Sequence, residues 1–158
     1  KIKADIDAKA KIIAIDLIKK LGMVGLLAVE MFVTKSGEVL VNEVAPRTHN
    51  SGHHTIESCT TSQFNQHLRA ILGLPLGNTS QVKSATMVNL LGEQGFSGPA
   101  KYEGMEEVLA LKGVYVHLYG KAITKPFRKM GHITITGGSR KRLLEKAKFV
   151  KETLKVKS

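Results

Sequence analysis

The sequence predicts an α+β chain in two parts, an antiparallel hairpin with packing helices and then a small α/β domain of mixed strands. The first sign is the pair of apolar, partly β-branched runs at 26–33 (Leu-Leu-Ala-Val-Glu-Met-Phe-Val) and 39–45 (Val-Leu-Val-Asn-Glu-Val-Ala), which flank Thr-Lys-Ser-Gly-Glu as a hairpin does. The second is helical spacing of apolar residues on both sides of that hairpin. The third is a polar, turn-rich stretch, Gly-Asn-Thr-Ser-Gln-Val-Lys at 77–83, after which strands alternate with short helices. We therefore expect domains at 1–78 and 79–158.

Each element has its own warrant. Ile6, Ala10, Ile13, Leu17 and Leu21 form one stripe of a core-packing helix over 5–21, and Gly22 stops it. A helix from about Ser62 to Leu72 carries Phe64, Leu68, Ile71 and Leu72 as its stripe, ends at Gly73 and Pro75, and braces the preceding loop from behind. A strand over 85–91 comes next. Residues 92–104 read as irregular, followed by a short helix near 105–111. Strands at 114–119 and 132–136 flank a 121–129 loop. Gly137-Gly138-Ser139 caps a final helix whose buried side holds Leu143, Ala147, Val150 and Leu154.

Composition narrows the class. A chain of 158 residues buries one good core or two small ones. It begins at Lys1, carries no signal-peptide pattern and no membrane-length apolar run, and so reads as a soluble, cytoplasmic fragment of something larger. Its single cysteine, Cys59, excludes an internal disulfide and favours a reducing compartment, with a buried structural thiol as the expected state. The net charge of +11 is uneven: residues 1–111 hold 11 Lys+Arg and 11 Asp+Glu, residues 112–158 hold 13 and 2. That excess suits an anionic ligand. A basic nucleic-acid-binding module is the rival, but there is no Trp, aromatics are sparse and no recognition motif appears, so neither nucleic acid nor membrane is expected as a partner.

The chemistry concentrates at 40–54, where a strand ends on a carboxylate and enters Pro-Arg-Thr-His-Asn-Ser-Gly-His-His. A connecting loop needs no such collection of guanidinium, imidazole, amide and hydroxyl groups; Gly52 lets its backbone bend. With a turn centred between Ser36 and Gly37, an even loop places Glu30 directly across from Glu43 on one face. Opposed carboxylates repel, and a hard cation with phosphate as a further ligand removes the penalty. An odd loop would offset the pair, and solvated glutamates on an open face remain the alternative. Arg47 is the best oxyanion clamp, because its planar fork matches two oxygens, with His49 and Asn50 completing the cradle. Arg47 as a surface ion pair, His53 and His54 as satisfied loop histidines and Phe32 as plain core stay open. Three loop histidines also raise zinc, although the spacing is not that of a helical pair and no cysteine assists.

These residues carry a resemblance. Val-Glu-Met-Phe, then Val-Asn-Glu-Val-Ala-Pro-Arg-Thr-His-Asn-Ser-Gly-His-His-Thr, then Thr-Ser-Gln-Phe-Asn-Gln-His-Leu-Arg-Ala resemble the carboxyl half of the N5-carboxyaminoimidazole ribonucleotide synthetases, ATP-grasp carboxylating enzymes of purine biosynthesis. His-Leu-Tyr-Gly-Lys at 117–121 and Arg-Lys-Met-Gly-His at 128–132 resemble the small C-terminal domain of that family, and together the motifs cover most of 20–137. The Asn-Glu-hydrophobic-Ala-Pro-Arg core is shared with formate-dependent glycinamide ribonucleotide transformylase, whereas His-Asn-Ser-Gly-His points to the carboxylating family. Thr48 departs from the proline usual there, which loosens the loop without removing a ligand.

The resemblance implies that the hairpin belongs to the C-terminal half of an ATP-grasp domain. It also implies that bicarbonate is phosphorylated by ATP to carboxyphosphate and captured by the amine of 5-aminoimidazole ribonucleotide. Mg2+ on Glu30 and Glu43 would neutralise the phosphates of ATP, Phe32 would wall the adenine, and Asn42 would lie near the nucleotide in a less certain role. Arg47, His49 and Asn50 would hold bicarbonate or released phosphate, and Lys121 and Arg128 the 5′-phosphate of the ribonucleotide. Lys129 is a weaker candidate and Lys125 faces solvent. The family implies a homodimer for the full-length enzyme. The N-terminal domain and the lysine-bearing lid have no counterpart here, so the chain alone is expected to be inactive. Fusion to the mutase of the next step is left open.

Overall fold

Helix α1 (Ala4–Lys20) opens the computed structural model, which describes residues 2–158. Its stop is built as the sequence implies: Gly22 takes φ +57°, its N–H bonds to Lys19 O, and Met23 N–H bonds to Ile18 O, so a left-handed glycine satisfies the last carbonyls. Ile6, Ala10, Ile13 and Leu17 are half-buried, while Leu21 is exposed.

The hairpin follows as β1 (Ala28–Val33) and β2 (Val39–Ala45). Its pairing carries an unforeseen compensation. Thr34 N–H bonds to Glu38 O, so the tip holds Lys35, Ser36 and Gly37 and is odd, with Gly37 at φ +84°. The strands start as Val33 opposite Val39 and Met31 opposite Val41, and then the register shifts between Glu30 and Met31. Asn42 is the extra residue of a β-bulge. Beyond it Glu30 lies opposite Glu43, so the expected pairing is present by a different route: an odd tip plus one extra residue. Strict alternation fails at a bulge, so the face Asn42 takes does not follow from period-two spacing. Phe32 is 59% exposed, which removes the reading of it as core.

Helix α2 (Thr55–Ser58) and helix α3 (Gln63–Ile71) come next, the latter capped by Ser62, whose hydroxyl accepts from Asn65 N–H. The expected stripe of α3 is not its inner face. Leu68, Ile71 and Leu72 are exposed, and the inward side chains are Gln63, Gln66 and His67. Cys59 is half-buried rather than buried.

The remaining elements are β3 (Ala85–Leu91), β4 (Gly98–Pro99), β5 (Lys101–Glu103), α4 (Met105–Leu109), β6 (Val114–Leu118), β7 (Ile123–Thr124), β8 (Lys129–Thr136), α5 (Arg140–Thr153) and β9 (Lys155–Lys157). The antiparallel sheet β3-β8-β6 is central, and β8 is buried from Met130 to Thr136 because it lies between two strands. Helix α5, capped by Ser139 through Arg142 N–H, covers the sheet with Leu143, Ala147 and Val150. The stretch expected to be irregular contains β4 and β5. Strand β9, absent from the sequence reading, pairs with β5 and buries Val156 completely.

The chain divides into two compact units, one comprising residues up to Gly52 with Thr61–Thr79, the other His53–Thr60 with Ser80–Ser158. The expected division at 78/79 thus leaves out one feature: 53–60 belongs with the second unit. Among the described residues no helix is long and apolar enough to cross a membrane.

Candidate active site

In the first unit the hairpin presents Glu30 and Glu43 as cross-strand partners, and the chain leaves β2 through Ala45, whose carbonyl accepts Arg47 N–H at 2.9 Å. That tight exit sets Arg47 on the turn directly after the carboxylates. One Nη1 donor of Arg47 holds Thr48 O at 2.9 Å, a carbonyl that proline would offer equally, so the Thr48 departure costs no contact. The guanidinium is exposed and makes no ion pair among the described residues, which leaves its other donors for a planar anion.

His49 is held harder. Gln63 pairs with its backbone on both sides, Oε1 accepting from His49 N–H at 2.9 Å and Nε2 donating to His49 O at 2.8 Å. Gln63 is itself 8% exposed, so this amide does inside the fold what a neighbouring strand would do. It also explains Gly52 better than bending does, since an added Cβ there would stand 2.6 Å from Gln63 Oε1. The ring of His49 lies between two partners, Nδ1 at 2.8 Å from Ser51 Oγ and Nε2 at 3.5 Å from Glu30 Oε1, the latter longer than a good hydrogen bond. Asn50 opens the 3₁₀ turn Asn50–Gly52. The structure therefore pairs Glu30 with Glu43 across the strands and sets His49 against Glu30, with Arg47 and Asn50 on the turn that follows. Phe32 and Asn42 are exposed on the hairpin.

The donor set fits a hard cation. Glu30 and Glu43 are cross-strand partners, Glu43 has no cationic partner among the described residues, and Glu30 has only the imidazole of His49. Among the described residues no three His, Cys, Asp or Glu side chains cluster as metal ligands, so any such ion would need further oxygens from its ligand.

The second unit holds the other basic residues. Lys121 Nζ donates to Lys129 O and Arg128 Nη1 donates to Ile123 O at 2.7 Å, so both cations are tied to the loop that carries them. The loop turns at Lys125–Arg128, where Arg128 N–H bonds to Lys125 O and Phe127 sits at φ +61°, the left-handed region usually left to glycine. Gly92 pins it by accepting from Phe127 N–H and donating to Arg128 O, both at 2.9 Å, and a Cβ there would collide with the carbonyl of Lys125. The basic excess is not confined to this loop or to a solvated helix face: Lys83, Lys112, Arg142 and Lys146 line a separate cavity of about 540 Å3.

The sequence reading missed a group of polar side chains behind the loop. His117 and His132 are cross-strand partners on β6 and β8, stacked at 4.5 Å and 9°. His117 Nε2 meets Glu57 Oε1 at 2.7 Å, and His132 Nδ1 meets the Tyr119 hydroxyl at 3.1 Å. His53 lies 4.9 Å from the His132 ring and edge-on to Tyr119, and the Lys121 ammonium stands 5.6 Å over the Tyr119 ring. Burial, then the His117 and His53 charges, push His132 down to about 4, and burial pushes the Tyr119 phenol up. His54 is satisfied by Ser58, Nδ1 to Oγ at 2.8 Å. The sequence signal for them is that His117, Tyr119 and His132 fall within the 117–121 and 128–132 motifs that carry the family resemblance.

Two sequence models match: the ATP-grasp domain over residues 1–64 and the phosphoribosylaminoimidazole carboxylase C-terminal domain over 85–146. The fold is thus that of an ATP-grasp protein. More narrowly, the chain belongs to the N5-carboxyaminoimidazole ribonucleotide synthetase family. It is 50% identical over 134 residues to the N5-carboxyaminoimidazole ribonucleotide synthase of Bacillus subtilis, a match covering 85% of this chain and 34% of that protein. The crystal structure of the synthetase from Thermotoga maritima superposes with TM-score 0.92 at 52% identity, over 100% of this chain and 44% of that one. The Aspergillus clavatus enzyme, in complex with ADP and 5-aminoimidazole ribonucleotide, gives TM-score 0.81 at 32% identity over 96% of this chain and 41% of its own. The chain spans between a quarter and a half of the relatives it matches.

Proposed function

We propose that the full-length protein is an ATP-grasp ligase that carboxylates 5-aminoimidazole ribonucleotide with bicarbonate, through carboxyphosphate, in purine biosynthesis. The observation that carries this is Glu30 opposite Glu43, with His49 against Glu30 and Arg47 on the next turn. Bicarbonate is a poor electrophile, so an amine attacks it only after phosphorylation. The site must then hold several negative charges at once. Glu30 and Glu43 would hold Mg2+, which offsets charge on the ATP phosphates. Arg47 offers a fork for two oxygens of bicarbonate or released phosphate. His49 and Asn50 orient that anion, with His49 fixed by Gln63. Phe32 and Asn42 lie on the hairpin face assigned to the nucleotide. Lys121 and Arg128 grip the ribonucleotide phosphate, and orientation of the amine supplies much of the rate. The A. clavatus complex with ADP and 5-aminoimidazole ribonucleotide supports this choice of ligands. The same reading makes the enzyme cytoplasmic, homodimeric in full length, divided at 78/79, and inactive as this chain alone.

The test is phosphate release dependent on aminoimidazole ribonucleotide by the full-length enzyme. Glu30→Gln and Glu43→Gln should each cost at least about 100-fold in kcat with unchanged melting temperature. Retained turnover in both would overturn the assignment, as would turnover with formate and glycinamide ribonucleotide in its place.

A further inference from the structure

The interior of the second unit contains more polar chemistry than packing asks for. Asn89, His132 and His117 form a row across the three-stranded sheet, each the cross-strand partner of the next. Asn89 Oδ1, His132 Nε2 and Glu57 Oε2 are buried without a hydrogen-bond partner among the described residues. Three such atoms in one unit cost free energy that an apolar core would avoid. The contacts that are made run one way. Glu57 holds His117, His117 stacks on His132, His132 bonds to Tyr119, and the Tyr119 ring lies under the Lys121 ammonium.

We propose that His132 and Tyr119 are positioning residues for Lys121, fixing where its ammonium stands to receive the phosphate of the ribonucleotide. This rests on the assignment of Lys121 to that phosphate. Lysine alone is poorly suited to a fixed geometry, because its long stem carries a large rotamer entropy. A ring beneath it and the Lys129 carbonyl beside it remove much of that freedom before substrate arrives. The ring is placed in turn by its hydroxyl. His132 is 2% exposed and sandwiched by His117 and His53, so it cannot swing. The charged or titratable groups facing it are Glu57, His53, His117, Tyr119 and, beyond the ring, Lys121.

The experiment uses the full-length enzyme and four variants: His132→Leu, His132→Asn, Tyr119→Phe and Lys121→Met. Steady-state kinetics are read beside the 13C signal of reductively dimethylated Lys121, whose ring-current shift reports its place over Tyr119. His132→Leu should raise KM for aminoimidazole ribonucleotide about tenfold, leave kcat and the KM for ATP within about twofold, and move the Lys121 signal toward that of a free lysine. Tyr119→Phe should do the same to a smaller extent. His132→Asn, which keeps a polar atom near the Nδ1 position, should recover most of both readouts. If Lys121→Met raises that KM while folded His132→Leu and Tyr119→Phe leave both KM and the 13C shift unmoved, the positioning role is overturned and the Lys121 assignment survives. If Lys121→Met leaves KM unmoved, the assignment fails and the proposal falls with it, whatever the NMR shows.

Discussion

The two units hold their charged residues in opposite ways. In the first, only Ala45 among the described hydrophobic residues is buried, while Phe32, Leu40, Val41 and Val44 lie exposed on the hairpin. In the second, Met130, Ile133, Ile135, Val108, Val150 and Val156 are all at 1% exposure or less. The Arg47–Asn50 turn of the first unit is therefore held by local devices, a β-bulge, a tight exit at Ala45 and one buried glutamine. The Lys121–Arg128 loop of the second is held by a complete core and a buried polar chain. The contrast teaches where each site draws its rigidity, from a few hydrogen bonds in one case and from packing in the other.

Truncating the cores should break the comparison most visibly. Met130→Ala is expected to destabilise by about 2–5 kcal/mol in urea denaturation, because it leaves a cavity where nothing can collapse. Phe32→Ala should change stability by less than about 0.5 kcal/mol, since its ring is already in water. An equal cost for both would mean that the first unit has a core of its own.

Acid should act on the second unit through His132. Its folded value of about 4 lies below its ordinary 6.5, so between these the unfolded chain binds more protons than the fold. Stability is then level above pH 6.5 and falls as pH drops toward 4, by an amount of the order of 3 kcal/mol. Denaturant midpoints across that window should show the slope, and His132→Asn should flatten it. A slope unchanged in the variant would assign it to another group.

Gln63→Ala tests the first unit in its own terms. Losing both bonds to the His49 backbone should cost about 1–2 kcal/mol and raise KM for bicarbonate, with KM for aminoimidazole ribonucleotide unchanged. The smallest expected effect is a gain. Phe127→Gly relieves a left-handed φ and should stabilise by up to about 1 kcal/mol, while loosening the turn before Arg128. A loss of stability would mean that the exposed ring makes contacts in the full-length enzyme.

Much of this was legible from residues whose role is local. Gly22, Ser62 and Ser139 stop or start helices through their own backbone or hydroxyl, and β3 matches its apolar run end to end. Membership of the family was legible because Asn-Glu-Val-Ala-Pro-Arg-Thr-His-Asn-Ser-Gly-His is too particular to arise from packing. What escaped depends on partners distant in sequence. Nothing in Lys-Val-Lys announces β9 until Tyr102 pairs with Val156, and nothing in Gln63 announces that it faces inward to His49. The α3 stripe misled for the converse reason: apolar spacing says which residues share a face, and here that face is not covered within the described chain. His132 was read only as the end of a basic motif, because burial cannot be seen in a sequence where it alternates with Gly131 and Ile133.

The bulge at Asn42 makes the carboxylate pair depend on chain length. Were β2 to straighten at its present length, Glu30 would face an amide and Glu43 would turn to the far side of the ribbon. Removing one residue at that point would keep the acids opposed.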